Sequence, residues 1–256
     1  MRSGIMKRNK TQSEVQKVST FFLGAGIVLC LTAANLAAQT PTAKQAPVYL
    51  GSATNYAILG ASTVTNTGLS VIDGNLGVWP GSAYVPGTPA ATVNGDINAA
   101  VPEAQHAQAS LAIAYNDAAG RTAGVVAVAG DLGGQTLAPG LYKSTSTLAI
   151  TGDLTLDGQG DPNAVFIFQV GSGLTVATGG RVVLTGGANA ANVFWQVGSS
   201  ATLGTYSAFK GTIMAYASIT IATGATLEGK ALAQNGAVTL DTNAVTTQKI
   251  QTIAKP

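Results

Sequence analysis

The sequence predicts an all-β protein, a β-solenoid with one long α-helix packed alongside. Similar threonine-containing segments recur in the C-terminal half at start-to-start spacings of 27, 18 and 19 residues, about the length of one solenoid coil. Two runs, AVFIFQV from Ala164 and NVFWQV from Asn192, are continuously apolar, which indicates strands covered on both faces. An alanine-rich stripe predicts a helix that covers one of these faces.

The repeated segments share the motif Thr-aliphatic-x-Thr, and an insertion at 186–192 lengthens the first of them. A fainter copy, STVTNTG, begins at Ser62, far from the others in the chain. The solenoid is therefore expected to be built from both ends of the chain, with a different segment between them. The four clear copies begin at Gly173, Ser200, Ser218 and Ala237.

The segment between the two groups of repeats contains the predicted helix, at about 102–120. Pro102 suits the first turn of a helix, and Glu103 is favourable near its N-terminus. Alanines recur at a spacing of three or four residues through this segment, and Gly120 or Gly124 can end it. A stripe of small residues suits close packing against a sheet.

Residues 1–38 are predicted to be a signal peptide, and 39–256 a single domain. Five basic residues precede an apolar run from Phe21 to Leu36, and small residues follow near Ala38, as in secretory signals. A membrane anchor is the alternative, but the run is shorter than the ~20 residues that a bilayer needs and contains Thr32 and Asn35. Because Cys30 lies in this segment, the secreted chain, whether extracellular or periplasmic, would have no disulfide.

The composition excludes a nucleic-acid partner. Residues 1–40 carry five basic residues and one acidic residue, which leaves eight basic against ten acidic residues, or a net charge of −2, in the rest of the chain. Only 9% of all residues are charged, against roughly 25% in average chains, while 46% are hydrophobic. That apolar content is enough to form a folded core.

Strand alternation predicts a flat and nearly uncharged side of the solenoid. In the segment around Thr220, Ile219 and Ile221 point inward, so that Thr220 points outward. The following strand of each coil exposes ordinary charged residues instead. The predicted outward column is Thr175, Thr202, Thr220 and Thr239; the column beside it is Ala177, Gly204, Ala222 and Asp241; and the corner carries Thr178, Thr205, Thr223 and Thr242.

Stacked coils lie about 4.8 Å apart, and outward residues i and i+2 of a strand lie about 6.6 Å apart. Hydroxyl and methyl groups on such a grid can hold water in a regular array that merges with a plane of ice. Threonine is also a good strand former, so a purely structural column is the alternative.

The chain resembles the secreted ice-binding proteins, whose domain was formerly of unknown function. The resemblance covers about 49–247 and is carried by stretches such as NYAILGASTVTNTG, AYNDAAGRTA, LGGQTLAPGLYKS and NVFWQVGSSATLGTYSAFKGTIMA. It implies a right-handed, discontinuous β-solenoid of triangular cross-section with one long helix. It also implies adsorption to ice, thermal hysteresis and inhibition of ice recrystallisation.

Some members of that family carry a Thr-Ala/Gly-x-Thr/Asn motif on the ice-binding side. The stretch from Thr223 to Thr226 fits this motif fully and the stretch from Thr67 to Ser70 nearly does, whereas those beginning at Thr178 and Thr205 depart from it. The candidate ice-binding residues are Thr67, Ser70, Thr175, Ala177, Thr178, Thr202, Gly204, Thr205, Thr220, Ala222, Thr223, Thr226, Thr239 and Thr242.

Neither catalysis nor a cofactor or metal is expected. The acids lie mostly beside glycines in turns, and His106, the single histidine, falls within the helix. The stretch DGQGD could bind calcium through Asp157 and Asp161, but it lacks the spacing of an EF-hand loop.

The alternative function is a cell-surface adhesin or a carbohydrate-binding solenoid, for which Trp79 and Tyr84 are the aromatic candidates. Under the ice-binding interpretation, the partners are an ice surface and ordered water. We then expect a monomer with no membrane partner after signal cleavage.

Overall fold

The computed structural model describes residue 41 and residues 43–247, so the predicted signal peptide and Cys30 lie outside the described residues. Within that part of the chain, parallel strands form one sheet of eight and one of fifteen. A coil consists of three strands, for example β15 (Leu174–Val176), β16 (Arg181–Thr185) and β17 (Val193–Val197), before β18 starts the next coil. The predicted solenoid with three sides is thereby confirmed.

The eight-stranded sheet forms one side, and its outward surface is called the threonine face below. The fifteen-stranded sheet forms the other two, the helix side and the third side. The strands of the threonine face are β2 (Thr63–Thr67), β5 (Ala83–Val85), β9 (Gly130–Asp131), β12 (Leu148–Ile150), β15, β18 (Ala201–Leu203), β20 (Ile219–Ile221) and β22 (Val238–Asp241).

The helix side and the third side share two long strands, β19 (Ala208–Ala215) and β21 (Thr226–Ala233). The helix side also contains β1 (Tyr56–Gly60), β4 (Asn75–Val78), β7 (Ile97–Ala99), β8 (Val125–Ala127), β11 (Gly140–Ser144), β14 (Phe166–Val170) and β17. The third side also contains β3 (Val71–Asp73), β6 (Thr92–Val93), β10 (Thr136–Leu137), β13 (Asp153–Asp157), β16 and β23 (Ala244–Thr246).

Both long strands turn a corner of the solenoid at a glycine. Gly211 in β19 has φ +107° and Gly229 in β21 has φ +152°, in the region that glycine adopts without strain. A Cβ atom on Gly229 would lie 1.9 Å from the carbonyl oxygen of Gly211. Glycine at this position therefore lets two adjacent coils bend without breaking the ladder.

The order of the strands is discontinuous along the chain. On the threonine face, β22 of the last coil lies between β20 and β2, with Thr239 in register with both Thr220 and Thr65. The segment that contains β8 and β9 forms the opposite end of the sheets. As predicted, the N-terminal and C-terminal repeats together build one solenoid.

The solenoid interior is apolar and contains a stack of aromatic rings. Phe168 and Trp195 are in-register neighbours with ring centroids 3.9 Å apart, and Tyr142 and Phe209 extend the stack at 5.3 and 5.0 Å. All four rings are buried. The two continuous apolar runs therefore fill the interior with one face, as their pattern predicts.

The helix α1 (Pro102–Gly120) covers the other face of these strands. Three of its buried alanines and Leu111 pack in one cluster with Ile167, Phe194 and Leu232. The buried Gln169 Nε2 donates to the carbonyl oxygens of Ala118 and Arg121, both at 2.8 Å, so a sheet residue satisfies the end of the helix. No helix in the described ranges is both long and apolar enough to cross a bilayer.

Candidate functional site

A column of five threonines runs across the threonine face. Strand pairing places one outward threonine from each of five adjacent coils in register, and the flanking strand residues point into the core. Four members are those predicted by alternation, and Thr65 is an additional member that the sequence analysis missed. In order across the sheet, the column is Thr175, Thr202, Thr220, Thr239 and Thr65.

The column has defined ends. With strands about 4.8 Å apart, five threonines extend over about 19 Å. Ala149 and then Asp131 continue the register beyond Thr175, and Val85 follows Thr65 at the other end. Hydroxyl groups therefore occupy the middle of the sheet, and other residue types occupy its margins.

A second row of residues lies at the corner next to this column. The N–H groups of Gly179, Tyr206, Gly224 and Thr242 donate to the carbonyl oxygens of the next coil at 2.9, 3.0, 3.1 and 3.0 Å. This ladder fixes which residues are equivalent from coil to coil. The resulting corner row is Thr178, Thr205, Thr223, Asp241 and Thr67.

Two predicted positions are therefore wrong. Thr242 occupies the position of Gly224, with φ +55°, and does not belong to the corner row. Asp241 was expected beside Ala222, but it stands in the corner row between Thr223 and Thr67. The cause is that the corner in the last coil is one residue shorter than the corner in the preceding coils, which sequence spacing does not reveal.

A buried asparagine replaces the missing residue. The Asn243 side chain accepts the N–H of Asp241 at 2.6 Å and donates to the carbonyls of Ala222 and Ala225 at 2.8 and 3.0 Å. In the adjacent coil, the buried Asn66 donates to the carbonyl of Gly68 at 2.8 Å. The Asn243 side chain thus satisfies backbone groups that a longer corner would satisfy with its own main chain.

Small residues separate the threonine column from the corner row. The backbone hydrogen-bond ladder continues in three adjacent coils through Ala177, Gly204 and Ala222. The N–H of Gly204 donates to the carbonyl oxygen of Val176, and the N–H of Ala222 donates to that of Leu203. All three are half-buried. Because none has a side chain longer than a methyl group, the surface between the two rows stays shallow.

Ser70 and Thr226 do not lie on the threonine face. Ser70 is 1% exposed, and its Oγ accepts the N–H of Asn243 at 2.9 Å, so the prediction that it contacts ice is wrong. Thr226 is exposed but starts β21 on the third side, in register with Ala208 and Ala244. The motif from Thr223 to Thr226 therefore bends around the corner.

Charge is concentrated away from this surface. In the described residues, no strand of the eight-stranded sheet contains a lysine or an arginine. On the third side, Arg181 pairs with Asp153 at 2.6 Å, and Lys210 pairs with Glu228. The structure thus shows the predicted contrast between a nearly uncharged and a charged side.

Two acids do lie on the eight-stranded sheet, and threonine hydroxyls bind both. Asp131 on the marginal strand β9 accepts hydrogen bonds from the Thr151 hydroxyl and the Gly133 N–H, which lower the pKa of its carboxyl group. Asp241 accepts the Thr223 hydroxyl at 2.5 Å.

The groups proposed for other functions are dispersed. His106 is exposed on the helix, and Asp157 and Asp161 accept backbone N–H groups within their own turn. Within the described ranges, no group of three or more His, Cys, Asp or Glu side chains could hold a metal ion.

The two aromatic residues suggested for sugar binding, Trp79 and Tyr84, do not present fully exposed rings. Trp195 is fully buried, and Trp79 and Tyr84 are half-buried. Tyr206 is 70% exposed, and its ring lies next to the Cα of Gly224, where a Cβ atom would be 2.4 Å away.

Comparison with known proteins gives a consistent result. The model of the family described as ice-binding-like matches residues 58–246. An ice-binding protein of Nostoc sp. (strain HG1) is 53% identical over 197 residues, which are 77% of this chain and 72% of that protein. An ice-binding protein of Flavobacterium frigoris (strain PS1) is 40% identical over 212 residues, or 78% and 76% of the two chains.

Solved structures show the same fold. The crystal structure of an ice-binding protein from an Antarctic biological consortium matches with a TM-score of 0.80 and 49% identity, over 81% of this chain and 94% of that one. The structure of an ice-binding protein from the Antarctic ascomycete Antarctomyces psychrotrophicus matches with a TM-score of 0.76 and 38% identity, over 80% and 100% of the two chains.

Proposed function

Because the chain belongs to the ice-binding-like family, we propose that it binds ice through the threonine face, in particular through the column of five threonines and the corner row beside it. The observation that carries this proposal is the register of Thr175, Thr202, Thr220, Thr239 and Thr65 on a sheet whose strands contain no lysine or arginine.

The regularity of the column is what makes ice the suitable partner. Backbone hydrogen bonds fix the spacing between hydroxyls at about 4.8 Å, and the buried core behind them prevents the sheet from adapting to an irregular ligand. Each threonine offers a methyl group and a hydroxyl group that can donate or accept. An ordered water layer held by these groups can continue into a growing ice plane.

The expected activity is adsorption, with thermal hysteresis and inhibition of recrystallisation but no chemical reaction. The dispersed acids and the exposed His106 support a non-catalytic function. The apolar segment with basic flanks at 1–38 supports secretion. The negative net charge after residue 40 supports the absence of a nucleic-acid partner. We expect the secreted chain to act as a monomer, without a membrane partner.

The test is the substitution Thr220→Tyr. Thr220 is exposed at the centre of the column, so a bulky ring there would hold ice away from the neighbouring hydroxyls without disturbing the core. Thermal hysteresis is expected to fall to the background level at equal concentration, while the circular dichroism spectrum and melting temperature stay unchanged.

Thr246→Tyr is the matched control. Thr246 is also exposed on a strand, but it lies on the third side in register with Glu228 and Asp73. This variant should keep its full hysteresis. Full activity of Thr220→Tyr would show that the threonine column is not the ice-binding surface.

A further inference from the structure

Asp241 is the acidic residue that interrupts the corner row of threonines. Its Oδ2 accepts a hydrogen bond from the Thr223 hydroxyl at 2.5 Å, and its Oδ1 accepts one from the Thr242 hydroxyl at 3.0 Å. The side chain is half-buried, and its backbone N–H is bound separately by Asn243. Each oxygen of the carboxylate thus holds a hydroxyl group at the edge of the proposed ice-binding surface.

The carboxylate lies where the two kinds of corner meet. Thr223 belongs to a coil with the longer corner, whereas Thr242 belongs to the coil whose corner is one residue shorter. Gly68 of the next coil lies close, because a Cβ atom there would be 2.2 Å from Thr242 Oγ1. Asp241 therefore connects hydroxyls on both sides of a change in backbone register.

The hydrogen bonds to Asp241 change what its neighbours offer to water. A threonine hydroxyl has one hydrogen and two lone pairs, and a free hydroxyl rotates between donating and accepting. A carboxylate binds the hydrogen through a charge-assisted bond, which is stronger than a neutral one. The oxygens of Thr223 and Thr242 can then only accept hydrogen bonds from water, in directions fixed by the protein.

We propose that Asp241 is a positioning residue of the ice-binding surface, which fixes the hydroxyls of Thr223 and Thr242 as oriented hydrogen-bond acceptors for ice-like water. This inference rests on the proposed function of the threonine face. Because these hydroxyl groups are oriented before they contact ice, adsorption does not have to include the entropy cost of ordering them. The Asp241 carboxylate then contributes to ice binding through the two hydroxyl groups that it orients.

The test combines single and double substitutions. Asp241→Ala removes both acceptor oxygens and leaves the backbone bond to Asn243, so we expect thermal hysteresis at equal concentration to fall roughly two- to five-fold with an unchanged melting temperature. Thr223→Val keeps the shape and removes the hydroxyl, and it should cause a similar loss. Asp241→Asn retains one acceptor oxygen and should keep part of the hysteresis that Asp241→Ala loses.

The double variant of Asp241→Ala and Thr223→Val separates positioning from an independent contribution. If Asp241 acts through Thr223, the double variant loses little more than either single variant. Asp153→Asn is the matched control, because Asp153 binds Arg181 on the third side and should be without effect. Losses that multiply in the double variant would overturn the proposal, as would full activity of Asp241→Ala.

Thr220→Tyr is measured in the same series to separate the two proposals. Loss of hysteresis in Thr220→Tyr with full activity in Asp241→Ala overturns the positioning role and leaves the ice-binding face in place. Full activity of both variants overturns both proposals.

Discussion

Lys230 is a half-buried lysine at a corner of the solenoid, outside the proposed ice-binding surface. It follows Gly229 in β21, and its Nζ donates to the carbonyl oxygen of Thr54 at 2.7 Å. Burial lowers the pKa of its ammonium group from 10.5 to about 8, because the charged form loses hydration in the folded chain that it keeps in the unfolded one.

The stability of the protein should therefore rise with pH above neutrality. Between pH 8 and 10.5, the unfolded chain binds a proton at Lys230 that the folded chain has already released, which favours the folded state by up to on the order of 3 kcal/mol. Below pH 8, the penalty of burying the charge is fully present. Urea unfolding at a series of pH values measures this free energy directly.

Tyrosines reverse the trend at higher pH. Burial raises the pKa of Tyr142 from 10 to about 12, so above pH 10 the unfolded chain loses a proton that the folded chain keeps, and stability falls. Maximum stability is thus expected near pH 10. Lys230→Met should remove the rise between pH 8 and 10.5 and keep the later fall, whereas a rise that persists in this variant would contradict the assignment.

Thr65 shows why a residue of the face escaped prediction. The stretch TVTNT of β2 has threonine at three alternate positions, and its inward residues are Val64 and the buried Asn66. An inward asparagine breaks the apolar alternation by which the other coils were recognised. Ser70 was misplaced for the opposite reason, because it matches a surface motif in sequence while its hydroxyl binds Asn243 inside the corner.

At the scale of the element, the coils were predictable where their length is constant. Alternation in β15, β18 and β20 gave the correct inward and outward residues, and the continuous apolar runs gave the strands beneath the helix. The corner of the last coil was not predictable in the same way. The Asn243 side chain makes hydrogen bonds there that main-chain groups of a longer corner would make, and the local sequence does not reveal this replacement.

That corner should be sensitive to the loss of Asn243. Asn243→Ala would remove the side-chain partner of the Asp241 N–H and of the buried Ala225 carbonyl, and would leave the Ala222 carbonyl with the Ala225 N–H alone. We expect the free energy of unfolding to fall by about 2–4 kcal/mol, measured by urea denaturation. Asn235→Ala is the control, because Asn235 is exposed and should change stability by less than about 0.5 kcal/mol.

The same pair of variants should also differ in thermal hysteresis. Because Asn243 holds Asp241 and the corner row in place, Asn243→Ala is expected to weaken hysteresis as well as stability. If the variant keeps wild-type stability, the role of this side chain in replacing main-chain hydrogen bonds is wrong.

At the scale of the whole molecule, the extent of the threonine face is set by the number of coils in register. Ala149 lies next to Thr175 in the column, half-buried and just inside the margin of the sheet. Ala149→Thr would lengthen the threonine column by one coil, from about 19 to about 24 Å. We expect higher thermal hysteresis at equal concentration, because more hydroxyls contact the same ice plane.

Ala244→Thr is the corresponding control on the third side, where Ala244 is exposed between Thr226 and Val71. This variant should keep the hysteresis of the unmodified chain. An equal increase in both variants would show that surface threonine content, and not the column, determines activity.

The placement of β22 between β20 and β2 has a consequence for how the chain acquires its structure during synthesis. Thr67 donates to the carbonyl of Leu240, a residue 173 positions later. On this side, β2 can pair only after β22 has been translated, although β5 can pair with its other edge much earlier. Loop closure over such a separation is slow, so we expect the contact between the two groups of coils to form late in folding. The threonine column across β20, β22 and β2 is thus expected to be among the last parts of the surface to be completed.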